Sequence, residues 1–204
     1  MIQEVLSYKE TLTLDEIKGN VFVIDDFLAP IDAEFLMRAM FDWDHFPWYM
    51  VPRDVAGVGE YVENPDPRDM YFKHDFFNSH FNVSPTIRLM APFVEKLVPR
   101  AISRIRANVY AAREEPFQFG FHTDYDDIAT AVYYVNTNNG ATLFESGDSV
   151  ESKQGRLVLF DSNLKHTTRN HTDISSRMLI NFNYVPCSKK FDVGPGTYKE
   201  INYG

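Results

Sequence analysis

The 204-residue chain has the length of one globular domain, residues 1–204, and can bury a sizeable core. Its 20 Lys and Arg against 29 Asp and Glu give a net charge of −9, which disfavours nucleic-acid binding through phosphate contacts. A single cysteine, Cys187, excludes an internal disulfide framework and a cysteine-based zinc cluster. The 15% share of aromatic residues favours a strand-rich interior.

The first residues, MIQEVLSYKE, have neither the basic start nor the apolar run of a signal peptide. No later stretch contains enough consecutive apolar residues for a transmembrane helix. We therefore expect a soluble, cytoplasmic protein without a membrane partner.

Residues 20–102 predict a strand followed by helices. The run NVFVIDDFL (20–28) is rich in β-branched residues and ends in a turn signal, which indicates a strand. The next stretch has apolar residues at helical spacing, and its Pro and Asp suit a helix start at 30–32. Residues 84–102 also have a helical period, with Ser84 as the predicted N-cap.

Residues 44–69 predict a long loop, because they are rich in Pro and Gly and contain the aromatic stretch FPWYM. Two interpretations of residues 46–53 stay open. They either form part of the substrate mouth or pack around a corner of the core.

From about residue 103 to residue 186 the pattern changes to short strands separated by turns such as NTNNG and ESKQG. The predicted strands are SRIRANVYAA, FQFGFHTD, TAVYYVN, ATLFES, GRLVLFDS and RMLINFNYV. Strands at this spacing after helices predict a mainly β protein, a sandwich or jelly roll with helices on one outer face.

The tripeptide HTD occurs twice, at 122–124 and 171–173, and His-x-Asp is a spacing found in metal sites. Residues two apart on a strand project to the same side. In FQFGFHTD the three phenylalanines would therefore face the core, while His122 and Asp124 face the opposite side. The first copy thus predicts a pair of metal ligands.

A third ligand would complete a 2-His-1-carboxylate triad, which leaves positions on Fe(II) open for a co-substrate and dioxygen. His166 follows the apolar strand GRLVLFDS and suits this role. Arg177 begins the last predicted strand, and its planar guanidinium suits a carboxylate. The second HTD lies in the polar stretch TTRNHTDISS, which predicts a solvated loop, so His171 is the minor alternative to His166.

Several of these segments together resemble the Fe(II)- and 2-oxoglutarate-dependent dioxygenase superfamily, in particular its prolyl 4-hydroxylase-like branch. The matching segments, between residues 20 and 185, are NVFVIDDFL, FHTD, VYYVN, GATLFE, GRLVLFDSNLKH and SSRMLINFNYV. The resemblance implies a double-stranded β-helix, a cupin-like jelly roll, with Fe(II) bound by His122, Asp124 and His166. It also implies a hydroxylase that consumes 2-oxoglutarate and O2.

The resemblance further assigns residues to the co-substrate. It implies that Arg177 binds the C5 carboxylate of 2-oxoglutarate and that Tyr134 hydrogen-bonds the same carboxylate. Tyr110 matches another co-substrate-contacting tyrosine. Alternation along the last strand places Asn181 and Asn183 on the pocket side, either as polar liners or at a solvent-facing edge.

Alternatives remain for the function and for the substrate. A non-catalytic jelly-roll binding protein could keep the fold without the chemistry, and a zinc hydrolase could use the same three ligands. The substrate could be a peptidyl proline or a small molecule. Collagen-type prolyl hydroxylases have a lysine where this chain has Arg177, so the match is to the wider branch.

Overall fold

A computed structural model describes residues 2–5, 8, 10–51, 70–80 and 82–193. Two sheets and a set of helices make up this part of the chain. The helices are α1 (Leu14–Ile17), α2 (Pro30–Met40) and α3 (Ala91–Leu97), and a 3₁₀ turn (Ile87–Met90) leads into α3. None of the described helices is long and apolar enough to cross a membrane.

The larger sheet has nine strands and the smaller sheet has three. The larger sheet contains β1 (Ile2–Val5), β2 (Val21–Ile24), β3 (Tyr49–Val51), β4 (Tyr71–Asn78), β5 (Asn82–Val83), β6 (Ala101–Ala111), β7 (Ala129–Tyr134), β10 (Leu157–Asp161) and β12 (Ser176–Val185). The smaller sheet contains β8 (Ala141–Phe144), β9 (Ser149–Glu151) and β11 (His166–Arg169).

The strand order in the larger sheet is β1-β2-β10-β7-β12-β6-β4-β3, with β5 paired to β4. In the smaller sheet the order is β11-β8-β9. Among the described strands only β1 and β2 pair in parallel, and the other pairs are antiparallel. Neighbours in the sheet are often distant in sequence, as a jelly roll requires.

Alternation along the strands divides the apolar side chains into two cores. On β12, Ile180 and Phe182 pack with Leu36 of α2 and Phe93 of α3, so the helices cover one face of the larger sheet. Leu179 points to the opposite face and belongs to a second core with residues of the smaller sheet. This second face forms the inside of the jelly roll, where the predicted ligands lie.

Most predicted strands and the first helix are confirmed. Residues 20–28 contain β2, the helix predicted near 30–32 begins at Pro30, and Arg177 lies at the start of β12. These segments combine a strong apolar pattern with a clear turn or capping signal, so local chemistry and tertiary packing agree.

The helix predicted over 84–102 is wrong in length. Its α-helical part, α3, ends at Leu97, and Ala101 already begins β6. Ser84 is the N-cap of neither the 3₁₀ turn nor α3, since those positions are Thr86 and Met90; its hydroxyl contacts His74 and accepts the Thr86 N–H at 3.1 Å. Pro92 lies in the first turn of α3, where the missing N–H of proline costs no helical hydrogen bond.

The strand predicted for FQFGFHTD is also wrong as a regular strand. Residues 117–124 make two isolated bridges to the β11 region, Gln118 to Arg169 and His122 to His166. Phe121 is 40% exposed rather than buried, whereas Phe119 packs against the inner core. The segment is an extended edge, because only one neighbouring strand is available to pair with it.

Phe93 anchors the helices to the larger sheet. Its ring lies 5.0 Å from the Tyr133 ring in an edge arrangement and 6.4 Å from the Phe182 ring. We expect Phe93→Ala to lower the free energy of unfolding by about 3–5 kcal/mol, because it leaves a cavity between helix and sheet. Urea unfolding measures this loss.

Phe35→Ala is the matched control, because Phe35 lies on α2 with 64% of its surface exposed. We expect this variant to stay within about 0.5 kcal/mol of the parent protein. Equal losses of unfolding free energy in the two variants would contradict the assignment of Phe93 to the core between the helices and the larger sheet.

Candidate active site

Three predicted ligands come together at one end of the jelly roll. Potential ligand atoms of His122, Asp124 and His166 all lie within 4.8 Å of one another. The Nε2 atom of His122 lies 3.9 Å from Asp124 Oδ1, and the Nε2 atom of His166 lies 3.9 Å from Asp124 Oδ2. The geometry is that of a 2-His-1-carboxylate triad with one side open to the solvent.

Backbone pairing brings the two histidines together. His122 N–H donates to the His166 carbonyl at 3.0 Å, and His166 N–H donates to the His122 carbonyl at 2.9 Å. Residues paired in this way lie directly opposite each other and project to the same side. His166 follows β10, as predicted from the sequence, and it is the first residue of β11.

Hydrogen bonds fix which nitrogen of each ring is free. The Nδ1 atom of His166 lies 2.9 Å from the Leu164 carbonyl oxygen, and Nδ1 of His122 lies 3.3 Å from the Gly120 carbonyl oxygen. Because a carbonyl only accepts, each Nδ1 carries a proton, and Nε2 is the ring nitrogen that faces Asp124. Burial lowers the pKa of His166, which favours the neutral ring that a metal requires.

Donors from two strands surround the carboxylate of Asp124. Arg104 Nη2 donates to Oδ1 at 3.1 Å, while Asn181 Nδ2 and Asn183 Nδ2 donate to Oδ2 at 3.0 and 2.9 Å. Burial by itself would raise the pKa of Asp124, but the charge of Arg104 and these hydrogen bonds outweigh it and lower the pKa. The carboxylate is therefore ionised and held in one orientation.

Asn181 and Asn183 lie on the pocket side, as the alternation of β12 predicted. Arg104 was not identified from the sequence. The signal was present, because polar residues alternate along SRIRANVYAA and place Arg104, Arg106 and Asn108 on one face of β6. Such a polar face on a strand inside a jelly roll indicates a site rather than core.

Arg177 is completely buried in the same interior. Its Nε donates to Ser152 Oγ at 2.8 Å, but Nη1 and Nη2 have no hydrogen-bond partner within the described part of the chain. Burial lowers the pKa of Arg177, yet arginine keeps its charge in proteins. Two unpaired donors on a buried cation fit a carboxylate held in a bidentate manner.

The two predicted tyrosines flank this guanidinium. The Arg177 carbon Cζ lies 5.5 Å from the Tyr134 ring centre and 5.9 Å from the Tyr110 ring centre. The Tyr134 hydroxyl already lies 2.7 Å from Thr142 Oγ1, and Tyr110 stacks on Tyr71 at 5.5 Å. Both rings line the space around Arg177, while their contacts with a co-substrate remain predictions.

A small polar cavity of about 60 Å³ opens beside the two histidines. The lining residues are Asn108, Tyr110, His122, Val132, Thr142, His166, Thr168, Leu179 and Asn181. The cavity adjoins the triad through His122 and His166, and it adjoins the surroundings of Arg177 through Tyr110 and Thr142. A ligand could therefore extend from the triad towards the buried guanidinium.

Gly140 makes room for the Arg177 side chain. A Cβ atom at this position would lie 2.8 Å from Arg177 Cδ, 2.9 Å from Arg177 Nε and 2.8 Å from Asn138 Oδ1. Such distances are too short for carbon, so any other residue at this position would displace the guanidinium. The close approach of the Arg177 side chain to the backbone thus explains why the GATLFE segment begins with a glycine.

The second HTD tripeptide does not join the triad. His171 lies in an irregular segment, as predicted, but it is buried rather than solvated, with Nδ1 2.9 Å from Asn170 Oδ1. Asp173 is exposed and accepts a hydrogen bond from the Asn139 N–H at 3.0 Å. The prediction of a solvated loop is therefore right for Asp173 and wrong for His171.

The aromatic residues at 46–53 favour packing over substrate contact. Phe46 is buried against the His74 ring at 4.7 Å, and Trp48 packs against the main core. Tyr49 is exposed at the start of β3. Residues 52 and 53 lie outside the described part of the chain.

No family model and no curated protein matches this chain. Several solved structures do match in fold. A prolyl hydroxylase from Trichoplax adhaerens, in complex with a hypoxia inducible factor peptide fragment, has a TM-score of 0.59 at 13% identity, with 85% of this chain and 87% of that chain covered.

Two further solved structures match in fold. The non-heme alpha ketoglutarate dependent carbocyclase SnoK from nogalamycin biosynthesis has a TM-score of 0.58 at 11% identity, covering 86% of this chain and 87% of that chain. HygX from Streptomyces hygroscopicus, solved with nickel and 2-oxoglutarate bound, has a TM-score of 0.50 at 14% identity, covering 84% of each chain. The chain therefore has the double-stranded β-helix fold that these oxygenase structures share.

Proposed function

We propose that the chain is an Fe(II)- and 2-oxoglutarate-dependent dioxygenase that hydroxylates an unactivated C–H bond. The observation that carries the proposal is the combination of two features inside one jelly roll. A triad of His122, Asp124 and His166 is preorganised at one end, and Arg177 presents two unpaired donors within the same interior. The first feature fits a divalent metal, and the second fits a dicarboxylate that reaches from the metal into the protein.

When bound, Fe(II) with 2-oxoglutarate and O2 supplies the oxidation. The overall reaction is R–H + 2-oxoglutarate + O2 → R–OH + succinate + CO2, with one oxygen atom in the alcohol and the other in succinate. The ionised Asp124 and the two neutral imidazoles would hold the metal and leave its remaining positions free. The protein supplies orientation, charge and exclusion of water.

The buried end of the pocket would determine which oxoacid binds. A C5 carboxylate at Arg177 would satisfy Nη1 and Nη2, and Tyr134 and Thr142 lie close enough to contribute a hydroxyl donor. The structure of HygX with 2-oxoglutarate bound, which has the same fold, supports this assignment of the co-substrate. A hydrolytic zinc enzyme would have no use for a buried arginine whose Nη1 and Nη2 find no acceptor among the described residues.

The substrate class is the part of the function that stays open in this proposal. The prolyl hydroxylase with the same fold is solved with a peptide, whereas the nogalamycin enzyme belongs to a biosynthetic pathway. Both a peptide and a small molecule are compatible with the fold. The chemistry next to the triad must decide between them.

His166 and His171, the two histidines weighed as the third ligand, provide a matched pair of variants. We expect His166→Ala to abolish metal binding and succinate formation, because it removes a ligand whose Nε2 faces Asp124. We expect His171→Ala to bind metal normally, since His171 is not part of the triad. Calorimetric titration with Mn(II) and a succinate assay with Fe(II) measure the two outcomes. Loss of metal binding in His171→Ala but not in His166→Ala would reverse the assignment.

Arg177→Met tests the assignment of the co-substrate. We expect the variant to bind 2-oxoglutarate about 10–100-fold more weakly, because a charged hydrogen-bonding partner of the C5 carboxylate is lost. Binding of 2-oxobutyrate, which lacks that carboxylate, should barely change. Equal weakening for both oxoacids would show that Arg177 acts through folding rather than through the C5 carboxylate.

Gly140→Ala tests the position of the guanidinium independently. The new methyl group meets Arg177 and Asn138, so we expect a loss of about 1–3 kcal/mol in the free energy of unfolding and weaker 2-oxoglutarate binding. Gly120→Ala is the control, because no atom lies within 4 Å of a Cβ at that position. Unchanged stability and co-substrate affinity in Gly140→Ala would contradict the close approach.

A further inference from the structure

A group of polar side chains extends the site across three strands of the larger sheet. We call Lys73, Asp75, Arg106, Asn108 and Asn181 the polar platform. In the strand register Asn181 lies opposite Arg106, Arg106 lies opposite Asp75, and Asn108 lies opposite Lys73. Opposed residues project to the same side of a sheet, and this is the side on which Asn181 meets Asp124. The polar platform therefore lies beside the triad.

Asn181 presents an acceptor whose identity is fixed. Its Nδ2 donates to Asp124 Oδ2 at 3.0 Å, and an amide oxygen in that place would face another acceptor, so Oδ1 points away from Asp124. This Oδ1 is buried and has no hydrogen-bond partner within the described residues. Asn181 also lines the cavity next to His122 and His166.

Asn108 contributes a second unpaired acceptor to the same cavity. Its Oδ1 is buried without a partner among the described residues, and its side chain lines the cavity together with Asn181. Buried acceptors of this kind need a donor. The carboxylates and ketone of 2-oxoglutarate offer only acceptors and cannot satisfy the fixed Asn181 oxygen, whereas an ammonium group of a substrate can donate to both oxygens.

The polar platform has two cations, Lys73 and Arg106, and one anion, Asp75. Arg106 donates to Asp75 through Nε at 2.5 Å and Nη2 at 3.3 Å, and Lys73 Nζ lies 3.2 Å from the same carboxylate. Two cations thus share one anion, in a chain whose net charge is −9. The side chain of Lys73 is 31% exposed, so it can reach a ligand.

We propose that the substrate is a small zwitterion bound on the polar platform, and this inference rests on the proposed dioxygenase function. The ammonium group of the substrate donates to the two asparagine oxygens beside the metal. Its carboxylate binds at Lys73 and Arg106 and neutralises the remaining positive charge. A free amino acid carries both groups on one small molecule, and in the register the Lys73 and Arg106 positions neighbour those of Asn108 and Asn181.

A peptidyl proline fits these side chains poorly. Its ring nitrogen is a tertiary amide without an N–H, and the residue has no charge. Bound beside the triad, it would leave the oxygens of Asn108 and Asn181 without donors. It would also leave the one excess positive charge of the polar platform without a second anion, so the polar platform selects against it.

The first part of the experiment separates the substrate from the chemistry. The full chain is loaded with Fe(II) and 2-oxoglutarate, and succinate formation is measured with each of the common free amino acids and with a proline-containing peptide. Metal-dependent 2-oxoglutarate binding is measured in parallel with Mn(II). If the co-substrate does not bind, the proposed function fails. If it binds while only the peptide or an uncharged compound stimulates succinate formation, the zwitterion proposal alone is overturned.

The second part tests which side chains bind the ammonium and carboxylate groups of the amino acid that stimulates succinate formation. Two analogues are compared with it: the carboxamide, which lacks the carboxylate, and the deaminated acid, which lacks the ammonium group. We expect Lys73→Met to weaken the amino acid about 10-fold without affecting the carboxamide. We expect Asn108→Leu to weaken the amino acid about 10-fold without affecting the deaminated acid. Lys165→Met is the control, because Lys165 is exposed and pairs with Glu145 at 3.2 Å away from the polar platform.

Two results would overturn the proposal at this stage. Asn108→Leu could weaken 2-oxoglutarate and leave the amino acid unchanged, which would assign Asn108 to the co-substrate. Lys73→Met could weaken the amino acid and its carboxamide equally, which would remove the role of the carboxylate. A panel in which no free amino acid stimulates succinate formation overturns the proposal as well.

Discussion

The ionised, buried carboxylate of Asp124 is the constraint on which the site depends. A buried charge is costly unless it is paired and hydrogen-bonded, and here Arg104, Asn181 and Asn183 supply the donors. These donors come from β6 and β12, two central strands that pair along most of their length. Asp124 lies on an extended edge segment, and the two strands of the larger sheet hold its carboxylate in place. The position of this carboxylate relative to His166 follows from these hydrogen bonds.

Arg177 is the second buried charge in the polar interior of the jelly roll. A wholly buried guanidinium whose Nη1 and Nη2 have no partner in the described ranges is unfavourable by itself, and Gly140 leaves it just enough space. Function accounts for such a feature, because a bound carboxylate would convert the cost into binding free energy. One end of the pocket would thus offer a carboxylate and two imidazoles to a metal, and the other end would offer a cation to an oxoacid that chelates it.

Much of the fold could be predicted because strands such as β7 and β10 are continuously apolar, and the HTD at 122–124 could be distinguished from that at 171–173 by its partners. The strand β4 could not be predicted from the sequence. Its apolar pattern is interrupted by Lys73 and Asp75, which face the site. The role of Arg104 depends on the register between β6 and β12, which local sequence does not encode. The burial of His171 likewise results from tertiary packing alone.

An anaerobic titration of the protein with Fe(II) in the presence of 2-oxoglutarate tests the central claim most directly. A chelate of the two at this site absorbs visible light through metal-to-ligand charge transfer. The account predicts a visible absorption band that saturates at one equivalent of Fe(II) and is absent in an Asp124→Ala variant. Iron binding without such a band, or a band that survives in this variant, would contradict it.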